Sequence, residues 1–497
     1  MRADEFTDLT DRLLLEAQRA AAHGDWGGAL AAADEAIKND PTRAEAMYLF
    51  AQGLRQAGNE GGALAILTLA SKLEPKRPAI WLAIAQCMQE RHPKEAYQAA
   101  LKALTLNGKA TEADALSLLT NVSSVLGRNA EALDWAQKYE DKYGLAGEVC
   151  HNKSFALFAL GRWDEAWREF KASLGMPNRS RRNYHADRET PRWDPRKHEN
   201  AVVVIYGEQG IGDEIMYASM IDKAIVAAEE KGSRVIIECY SRNDGLFRRS
   251  FPDATVYGTL HETYSEWPAD EGVTHRLEMG GLGEFFASEP FRRNSYLSAD
   301  RARCAGWRSW FRETGEEVVR SRPRVGIAWT GGSWESGRAR RSIPFDLITQ
   351  LMRGQDATFV CLEYEDRRKD LEFTPDVLNP HWATAKGQDM DELAAIVANL
   401  DLVISVQQSV VDLCGALGVP CWALTDAAPQ WRYTGFFGDD TMGFYESVKV
   451  YRQKEWGEWA PVVNQVARDL KALTDAKQPK GYVNGAHQVE NDAWQSC

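Results

Sequence analysis

Long hydrophobic runs are missing from this 497-residue sequence. No apolar stretch approaches the roughly 18 residues that a membrane-spanning helix needs, so an integral membrane protein is not expected. The opening residues, Met1 to Glu5, are polar and acidic, which predicts no secretory signal and a cytoplasmic location. Positive charge is also scarce, because the formal net charge is −13. That balance argues against broad binding to nucleic acid or to an anionic membrane.

Cysteine motifs are absent as well. The eight cysteines are scattered without a C-x-x-C pair and without a cluster of cysteines and histidines, which predicts reduced core thiols and argues against a zinc site of the usual spacing. The phosphate-loop pattern G-x-x-x-x-G-K-[ST] does not occur, and no turn after a strand carries G-x-G-x-x-G. We therefore expect neither a P-loop nucleotidase nor a dinucleotide dehydrogenase, and we expect no metal and no other cofactor.

A period near 34 residues runs through the first third of the chain. Each unit has a glycine or another turn residue, then an alanine five positions later, then a large residue. The alanines of successive units are Ala29, Ala63, Ala96, Ala132 and Ala166. Small residues let two helices approach closely, and glycine permits the turn between them. The period is that of the tetratricopeptide repeat (TPR), so residues 1–177 are predicted to form a TPR array. Such an array presents a groove to a peptide or protein partner, or else packs against its own C-terminal half.

Residues 178–200 are basic, contain two prolines and lack apolar periodicity, which predicts a linker that lies on acidic surface of its own chain. Beyond it, strand-like runs alternate with helical patterns, as in parallel α/β sheets. The predicted fold class is a helical solenoid followed by two Rossmann-like halves, 201–321 and 322–475, and then a polar tail, 476–497. Ligands of such sheets bind at the carboxyl ends of the strands, so the site is expected in the cleft between the halves. The Asp389-Met390-Asp391 motif opens a helix and is interpreted as an N-cap instead of a metal site.

Several blocks of the C-terminal half occur together in one order. They are 191–194 (PRWD), 207–213 (GEQGIGD), 324–329 (RVGIAW), 341–344 (RSIP), 401–406 (DLVISV), 415–420 (GALGVP), 431–432 (WR) and 450–453 (VYRQ). With these blocks the chain resembles the glycosyltransferase half of bacterial TPR-containing glycosyltransferases, which are related to the heptosyltransferases of glycosyltransferase family 9. The resemblance implies a GT-B fold and inverting transfer of a sugar from a nucleotide-diphosphate sugar to a hydroxyl of a protein or glycan. It also implies that residues 201–321 face the acceptor and residues 322–475 the donor.

Asp213 follows the first strand of this half and begins a helix. The resemblance assigns it as the general base, while the residue pattern alone also fits an N-cap. Gly210 and Gly212 are predicted to let the backbone approach an anion, or only to form a tight turn. Thr330 and Arg341 follow the next strand, and guanidinium groups suit a diphosphate. A solvated basic loop is the alternative for them.

Further candidates lie after the later strands. Glu363 is predicted to accept from ribose hydroxyls, with a surface position as the alternative. Gln407, Gln408 and Ser409 precede a helix whose N-terminus suits a diphosphate, although Ser409 also fits a plain N-cap. The family has Asp-Thr and a later His where this chain has Gln407, Gln408 and Asp412. Trp431 and Arg432 are predicted to floor a base or acceptor pocket, with core packing as the alternative.

Two other functions stay open at this point. The changed block from Gln407 to Asp412 favours a scaffold that binds a nucleotide, a glycan or a protein partner without turnover. Retention of Asp213 and of the arginines favours catalysis. A glycosyltransferase acting on modified nucleic-acid bases is also conceivable, and the acidic net charge argues against it.

Overall fold

The structure, a computed structural model, describes residues 3–106, 108–176, 179–262, 265–314, 322–332, 337–372, 374, 377–385, 387–438 and 440–477. The predicted tail therefore lies outside the described residues from position 478 on. The chain divides into two compact units, Met1–Ala156 and Leu157–Cys497. In the described ranges, no helix is both long enough and apolar enough to cross a membrane.

The first unit is built from antiparallel helix pairs. Its helices are α1 (Ala3–Ala22), α2 (Trp26–Asn39), α3 (Ala44–Gln56), α4 (Glu60–Leu73), α5 (Pro78–Met88), α6 (Pro93–Thr105), α7 (Glu112–Val125), α8 (Asn129–Tyr143) and the start of α9 (Gly147–Ala159). The helix-turn-helix repeat predicted from the period is confirmed. Pro78 and Pro93 each open a helix, where the missing N–H group costs no hydrogen bond.

The repeat residues have the roles that their chemistry predicts. Gly24, Gly58 and Gly127 have φ angles of 77°, 75° and 74°, a left-handed conformation that glycine adopts at little cost. Each of these glycines lies between the two helices of a pair. The alanines Ala29, Ala63, Ala96 and Ala132 are fully buried where those helices cross. The spacing of small residues thus sets the spacing of the helices.

The second unit begins within α9 and continues into two parallel sheets. Its further helices are α10 (Trp163–Ala172), α11 (Ile211–Ala218), α12 (Ile221–Glu229), α13 (Asp244–Ser250), α14 (Trp267–Asp270), α15 (Gly283–Phe286), α16 (Arg301–Glu313), α17 (Arg338–Arg341), α18 (Phe345–Met352), α19 (Arg368–Leu371), α20 (His381–Thr384), α21 (Met390–Val397), α22 (Ser409–Leu417) and α23 (Trp459–Lys477). Its strands are β1 (Val202–Tyr206), β2 (Arg234–Glu238), β3 (Thr255–Tyr257), β4 (His275–Glu278), β5 (Arg292–Arg293), β6 (Arg324–Ala328), β7 (Thr358–Cys361), β8 (Val377–Leu378), β9 (Leu402–Val406), β10 (Cys421–Thr425), β11 (Phe444–Tyr445) and β12 (Val448–Arg452).

The strands form two larger sheets in which every pairing is parallel. The first has the order β3-β2-β1-β4 and the second the order β12-β10-β9-β6-β7-β8. A small parallel pair, β5 with β11, joins a segment that follows the first sheet to one that precedes β12. Strands buried on both faces explain the continuous apolar runs of the sequence. The parallel α/β character predicted for this region is confirmed.

The helical segment that follows the glycine-rich turn after β1 is interrupted. It forms two helices, α11 and α12, because the chain turns at Ser219 and Met220. The guanidinium of Arg293 donates to the carbonyl oxygen of Ser219, which compensates for the interrupted helix. Asp389 caps α21 by accepting from the backbone N–H of Asp391 at 2.9 Å, so the N-cap interpretation of that motif is confirmed.

The division between the units lies inside α9, whereas the sequence analysis drew the array to residue 177. The reason is aromatic packing by α10. Trp163, Trp167 and Phe170 are buried in the second unit, and the Trp167 indole donates to the carbonyl oxygen of Ala287 at 2.6 Å. The last helix of the predicted array therefore belongs to the core of the sheet-containing unit.

Candidate functional site

The loop after β1 is held by a buried carboxylate that the sequence analysis did not single out. Glu214 accepts from the backbone N–H of Tyr240 at 3.2 Å and from the Asn243 amide at 2.8 Å. Burial raises the pKa of Glu214 well above its usual range. A Cβ on Gly207 would lie 1.9 Å from a Glu214 oxygen, so only glycine fits there. The hydrogen bonds of Glu214 to Tyr240 and Asn243 thus hold the start of α11, and the glycine-rich loop before it, against the end of β2.

Asp213 lies in the first turn of α11. One of its carboxylate oxygens accepts from the backbone N–H of Gly210 at 3.2 Å. The other accepts from the guanidinium of Arg432, which comes from the short turn of 3-10 helix at Trp431–Tyr433. The Asp213 side chain is 24% exposed, which leaves it within reach of a ligand. Asp213 and Arg432, which the sequence analysis considered separately, are thus direct partners.

Arg432 also faces a second acid, Asp412 of α22. A guanidinium nitrogen lies 3.5 Å from one Asp412 oxygen, and the hydroxyl of Tyr445 donates to the other at 3.2 Å. Burial raises the pKa of Asp412 to about 7, although Arg432 opposes that shift. Arg432 therefore lies between a partly exposed carboxylate and a buried one that titrates near neutrality.

The first turns of α11 and α22 are in contact at this point. A Cβ added to Gly212 would lie 3.2 Å from the Cα of Ser409 and 3.1 Å from an Asp412 oxygen. The helix that follows β1 and the helix that follows β9 thus meet at their N-termini. Both ends carry a positive partial charge and donor N–H groups. Asp213 and Arg432 lie beside this junction.

The carboxyl edge of the six-stranded sheet carries a second charged group. Arg341 is 4% exposed and donates to the carbonyl oxygen of Gln407 at 3.3 Å. Burial and the neighbouring Arg340 lower the pKa of Arg341 to about 10. Asp426, the first residue after β10, lies 3.5 Å from Arg340. Burial raises the pKa of Asp426 to about 6, against the opposing effect of both arginines.

Sequence reasoning missed Asp426 and Glu214. Asp426 follows a strand directly, so the same rule that selected Glu363 after β7 would have found it. No local signal marks Glu214, because its partners lie at the end of β2, far along the chain.

Glu363 is engaged within the sheet edge. One of its carboxylate oxygens accepts from the backbone N–H groups of Trp329 and Thr330, at 2.6 and 2.7 Å. The other lies 3.7 Å from Arg367. The Thr330 hydroxyl accepts from the same arginine. Glu363 is fully buried, so its alternative as a surface residue is wrong. Its carboxylate therefore stabilises the turn after β6 by accepting from the backbone there.

The amide block after β9 is held by its own neighbours. The side-chain oxygen of Gln407 accepts from the backbone N–H of Gln430 at 3.4 Å, and Gln408 donates to the Ser405 hydroxyl at 3.3 Å. The N-cap of α22 is Gln408, so the alternative in which Ser409 caps the helix is wrong. Ser409 instead forms the first turn, where it meets Gly212.

Trp431 belongs to an aromatic cluster. Its ring stacks on Phe158 with centroids 4.2 Å apart and contacts Trp163, Trp167 and Phe444 edge-on. It is 4% exposed. These contacts favour core packing over a pocket floor for Trp431. Arg432 follows this buried ring directly in the chain.

The basic segment, residues 179–198, supplies arginines to the carboxyl edge of the four-stranded sheet, and we call it the arginine strap. The three acceptors are fully or nearly buried glutamates that follow or end β1, β2 and β4. The pairs are Arg179 with Glu208 at 3.2 Å, Arg182 with Glu238 at 2.7 Å and Arg192 with Glu278 at 2.8 Å. The segment was expected to lie on acidic surface of its own chain; it does pair with acids of its own chain, but these three glutamates are buried.

Glu208, the second residue of the GEQGIGD block, shows why the strap is needed. Its carboxylate is buried and accepts from the backbone N–H of Gly280 at 3.2 Å in addition to Arg179. Burial raises its pKa to about 7, and Arg179 is the main opposing charge. A buried carboxylate without such a partner is strongly destabilising.

Comparison with known proteins identifies a repeat in the first unit and a relative whose alignment extends beyond it. A family model of the tetratricopeptide repeat matches residues 20–87. The N-terminal helices are therefore TPR repeats. The chain is 28% identical over 332 residues to the protein FlbA of Caulobacter vibrioides, an alignment that covers 63% of this chain. The chain spans about half the length of that relative, of which 53% is covered.

Solved structures of TPR proteins are also similar. The MamA protein aligns with 34% of this chain and 91% of its own, at 21% identity and a TM-score of 0.30. A thermophilic TPR protein of Thermus thermophilus aligns with 34% of this chain and 91% of its own, at 17% identity and a TM-score of 0.29.

Proposed function

We propose that the second unit is an inverting glycosyltransferase of GT-B type, whose halves are residues 201–321 and 322–475. It transfers a sugar from a nucleotide-diphosphate sugar to a hydroxyl acceptor. The observation that carries this proposal is the meeting of Asp213 with Arg432 beside the N-terminus of α22. A carboxylate can take a proton there, and a guanidinium and a helix N-terminus can stabilise an anion.

Asp213 acts as the base. It accepts the proton of the acceptor hydroxyl while the new bond from that oxygen to the anomeric carbon forms. The bond from the anomeric carbon to the diphosphate breaks at the same time, and the nucleoside diphosphate leaves with the electron pair. Arg432 orients the Asp213 carboxylate through its direct ion pair. Attack from the face opposite the leaving group inverts the anomeric centre.

Arg341 and the first turn of α22 hold the leaving diphosphate in this proposal. Arg341 is already fixed to the backbone at Gln407, next to that helix, so its charge is preorganised. Guanidinium groups pair with phosphate oxygens in two-pronged fashion. The chain's own charges would then neutralise the diphosphate, and no metal is invoked. The TPR array recruits the acceptor, a protein or a glycan carrier.

A second function is favoured by one observation. In the transferase proposal Glu363 would accept hydrogen bonds from ribose hydroxyls. In the structure one of its oxygens already accepts from two backbone N–H groups, and the other lies near Arg367. A TPR scaffold whose second unit binds a ligand without turnover needs no such acceptor. Together with the amides at Gln407 and Gln408, this arrangement makes the scaffold the competing proposal.

The Asp213→Asn variant separates the two. Asparagine retains the shape and the acceptor for the Gly210 N–H, but it cannot take a proton. The assay follows radiolabelled sugar from nucleotide-diphosphate sugars into protein of the cells that make this chain. We expect transfer to fall by about 10²- to 10⁴-fold with nucleotide affinity unchanged.

The matched control is Asp222→Asn. Asp222 lies on the next helix, α12, and is an exposed partner of Arg293, so this variant is expected to transfer sugar at the wild-type rate. Equal rates of sugar transfer by Asp213→Asn and the wild type would contradict the assignment of Asp213 as the general base. Absence of transfer by the wild type with every donor supports the scaffold.

A further inference from the structure

We propose that the groove between α5 and α6 binds a peptide segment in which a bulky apolar side chain is flanked by carboxylates. The groove lies wholly in the first unit and encloses a cavity of about 450 Å³. Trp81, Ile84 and Met88 of α5 line one wall, and Lys94 and Lys102 of α6 lie on the other. The proposal deepens the recruiting role given above to the TPR array, since it names where a partner binds and its chemistry.

The floor of the groove is apolar and preformed. Trp81, Ile84 and Met88 follow the spacing i, i+3, i+7, which places them on one face of α5. The Trp81 indole donates to the carbonyl oxygen of Pro75 at 2.9 Å, which fixes the ring before any ligand arrives. A cavity of this size is typical of sites that enclose a small ligand or a large side chain. A preformed wall lowers the entropy cost of binding.

The rim of the groove is basic. The ammonium of Lys102 lies 3.4 Å from the centroid of the Trp81 ring, and Lys94 is exposed at the start of α6. Neither lysine forms an ion pair with any residue that the structure describes. Glu95 also lines the groove, so the lining has two positive groups and one negative group. The site therefore carries unneutralised positive charge directly above an apolar wall.

The surrounding repeat is basic in an acidic protein. Residues 76–110 contain six lysines and arginines against two glutamates, a balance of +4, whereas the whole chain carries −13. A positively charged patch attracts an acidic partner and disfavours a basic one. Charge complementarity thus selects an acidic peptide, and the apolar wall selects one large apolar residue within it.

Fluorescence anisotropy with the full-length chain tests the proposal. The probe is a fluorescein-labelled, amidated peptide of sequence Glu-Glu-Leu-Phe-Glu-Asp. One comparison peptide replaces the acids by their amides, and another replaces Leu-Phe by Ser-Ser. We expect a dissociation constant of about 10 µM for the probe at low salt and weaker binding as salt rises. Both comparison peptides are expected to bind at least roughly tenfold more weakly.

Charge-reversing variants locate the binding site. Lys94→Glu combined with Lys102→Glu is expected to weaken probe binding by roughly tenfold or more. The matched control is Lys138→Glu, since Lys138 lies 3.9 Å from the ring of Trp135 on α8, outside the groove. The control is expected to bind as the wild type does. All three substituted positions are exposed, so circular dichroism should report the same fold for each variant.

Three results overturn the proposal: no binding of the probe below millimolar concentration, equal binding to the doubly reversed variant, or equal binding of the amide peptide. A change of oligomeric state in the doubly reversed variant would instead assign the groove to a second copy of the chain. Binding is measured without any nucleotide sugar. Failure of the transferase proposal, tested with Asp213→Asn, would therefore leave this result unaffected.

Discussion

The two parallel sheets of the second unit differ in the partners of the charged side chains at their carboxyl edges. At the four-stranded sheet the strands end in buried glutamates, and the arginine strap neutralises them. At the six-stranded sheet the arginines belong to its own loops, and Arg341 binds a neutral carbonyl group. The first edge is thus neutralised by a separate segment of the chain. At the second edge acids and arginines of the same loops lie together, as Arg340 and Asp426 do, and Arg341 lies beside a helix N-terminus, an arrangement that suits a phosphate.

The arginines at these two edges are therefore expected to have different roles, one structural and one in ligand binding. In the strap an arginine is structural, because removing it leaves a carboxylate buried and unpaired. Near α22, Arg341 donates to the carbonyl oxygen of Gln407 beside a helix N-terminus, and the proposal gives it a ligand-binding role. Predictions that affect one edge and spare the other test this distinction.

The largest expected effect is on the strap. Arg179 and Glu208 are both almost completely buried, so Arg179→Ala should lower the free energy of unfolding of the second unit by about 3–5 kcal/mol. Arg181→Ala is the matched control, since Arg181 and its partner Glu189 are exposed, and a change of at most about 1 kcal/mol is expected. Urea unfolding followed by near-ultraviolet circular dichroism measures both. Similar losses for the two variants would contradict the structural role of the strap.

A smaller effect concerns pH. Burial raises the pKa of Asp412 to about 7, so the folded unit retains a proton that the unfolded chain has lost above its ordinary value near 4. The contribution of Asp412 to stability is therefore greatest below that ordinary value and is lost as pH rises through 7. We expect Asp412 to account for a fall of about 1–3 kcal/mol in the free energy of unfolding between pH 5 and 8, and Asp412→Asn to remove that part of the slope.

The matched measurement is urea unfolding of the wild type and Asp412→Asn at both pH values. Glu208 and Asp426 also have raised pKa values and contribute to the same slope, so a residual decline is expected in the variant. An identical slope in both proteins would show that Asp412 does not titrate in this range.

The smallest effect is at the junction of the two helices. Gly212→Ala places a methyl group 3.2 Å from the Ser409 backbone, which cannot move away easily, and a loss of about 1 kcal/mol is expected. Gly210→Ala is the control, because its nearest contact is the Asp213 side chain at 3.3 Å and its φ angle of −73° suits alanine. Thermal unfolding compares the pair. A larger loss at Gly210 than at Gly212 would contradict the close approach of α11 and α22.

The sequence predicted well what depends on neighbours along the chain. Gly24 and Gly58 lie in the turns that the repeat period predicted, and the alternation of strand-like runs with helical patterns predicted the parallel sheets. The partners of the site could not be predicted, since they are far apart in sequence. Asp213 and Arg432 are separated by 219 positions, and no local pattern specifies that ion pair. Trp431 was ambiguous for the same reason, because only the fold places it among the aromatic rings of α9 and α10.

The most direct test of the central claim is calorimetric titration of the full chain with UDP, GDP, ADP, CMP and dTDP without added metal. The account predicts that one nucleoside diphosphate binds clearly and that Arg341→Ala abolishes or strongly weakens that binding. Arg338→Ala is the control, since Arg338 belongs to the same helix and pairs with Glu365 at 2.5 Å. Failure of every nucleotide to bind at millimolar concentration, or equal binding by Arg341→Ala, would contradict a donor site at the edge of the six-stranded sheet.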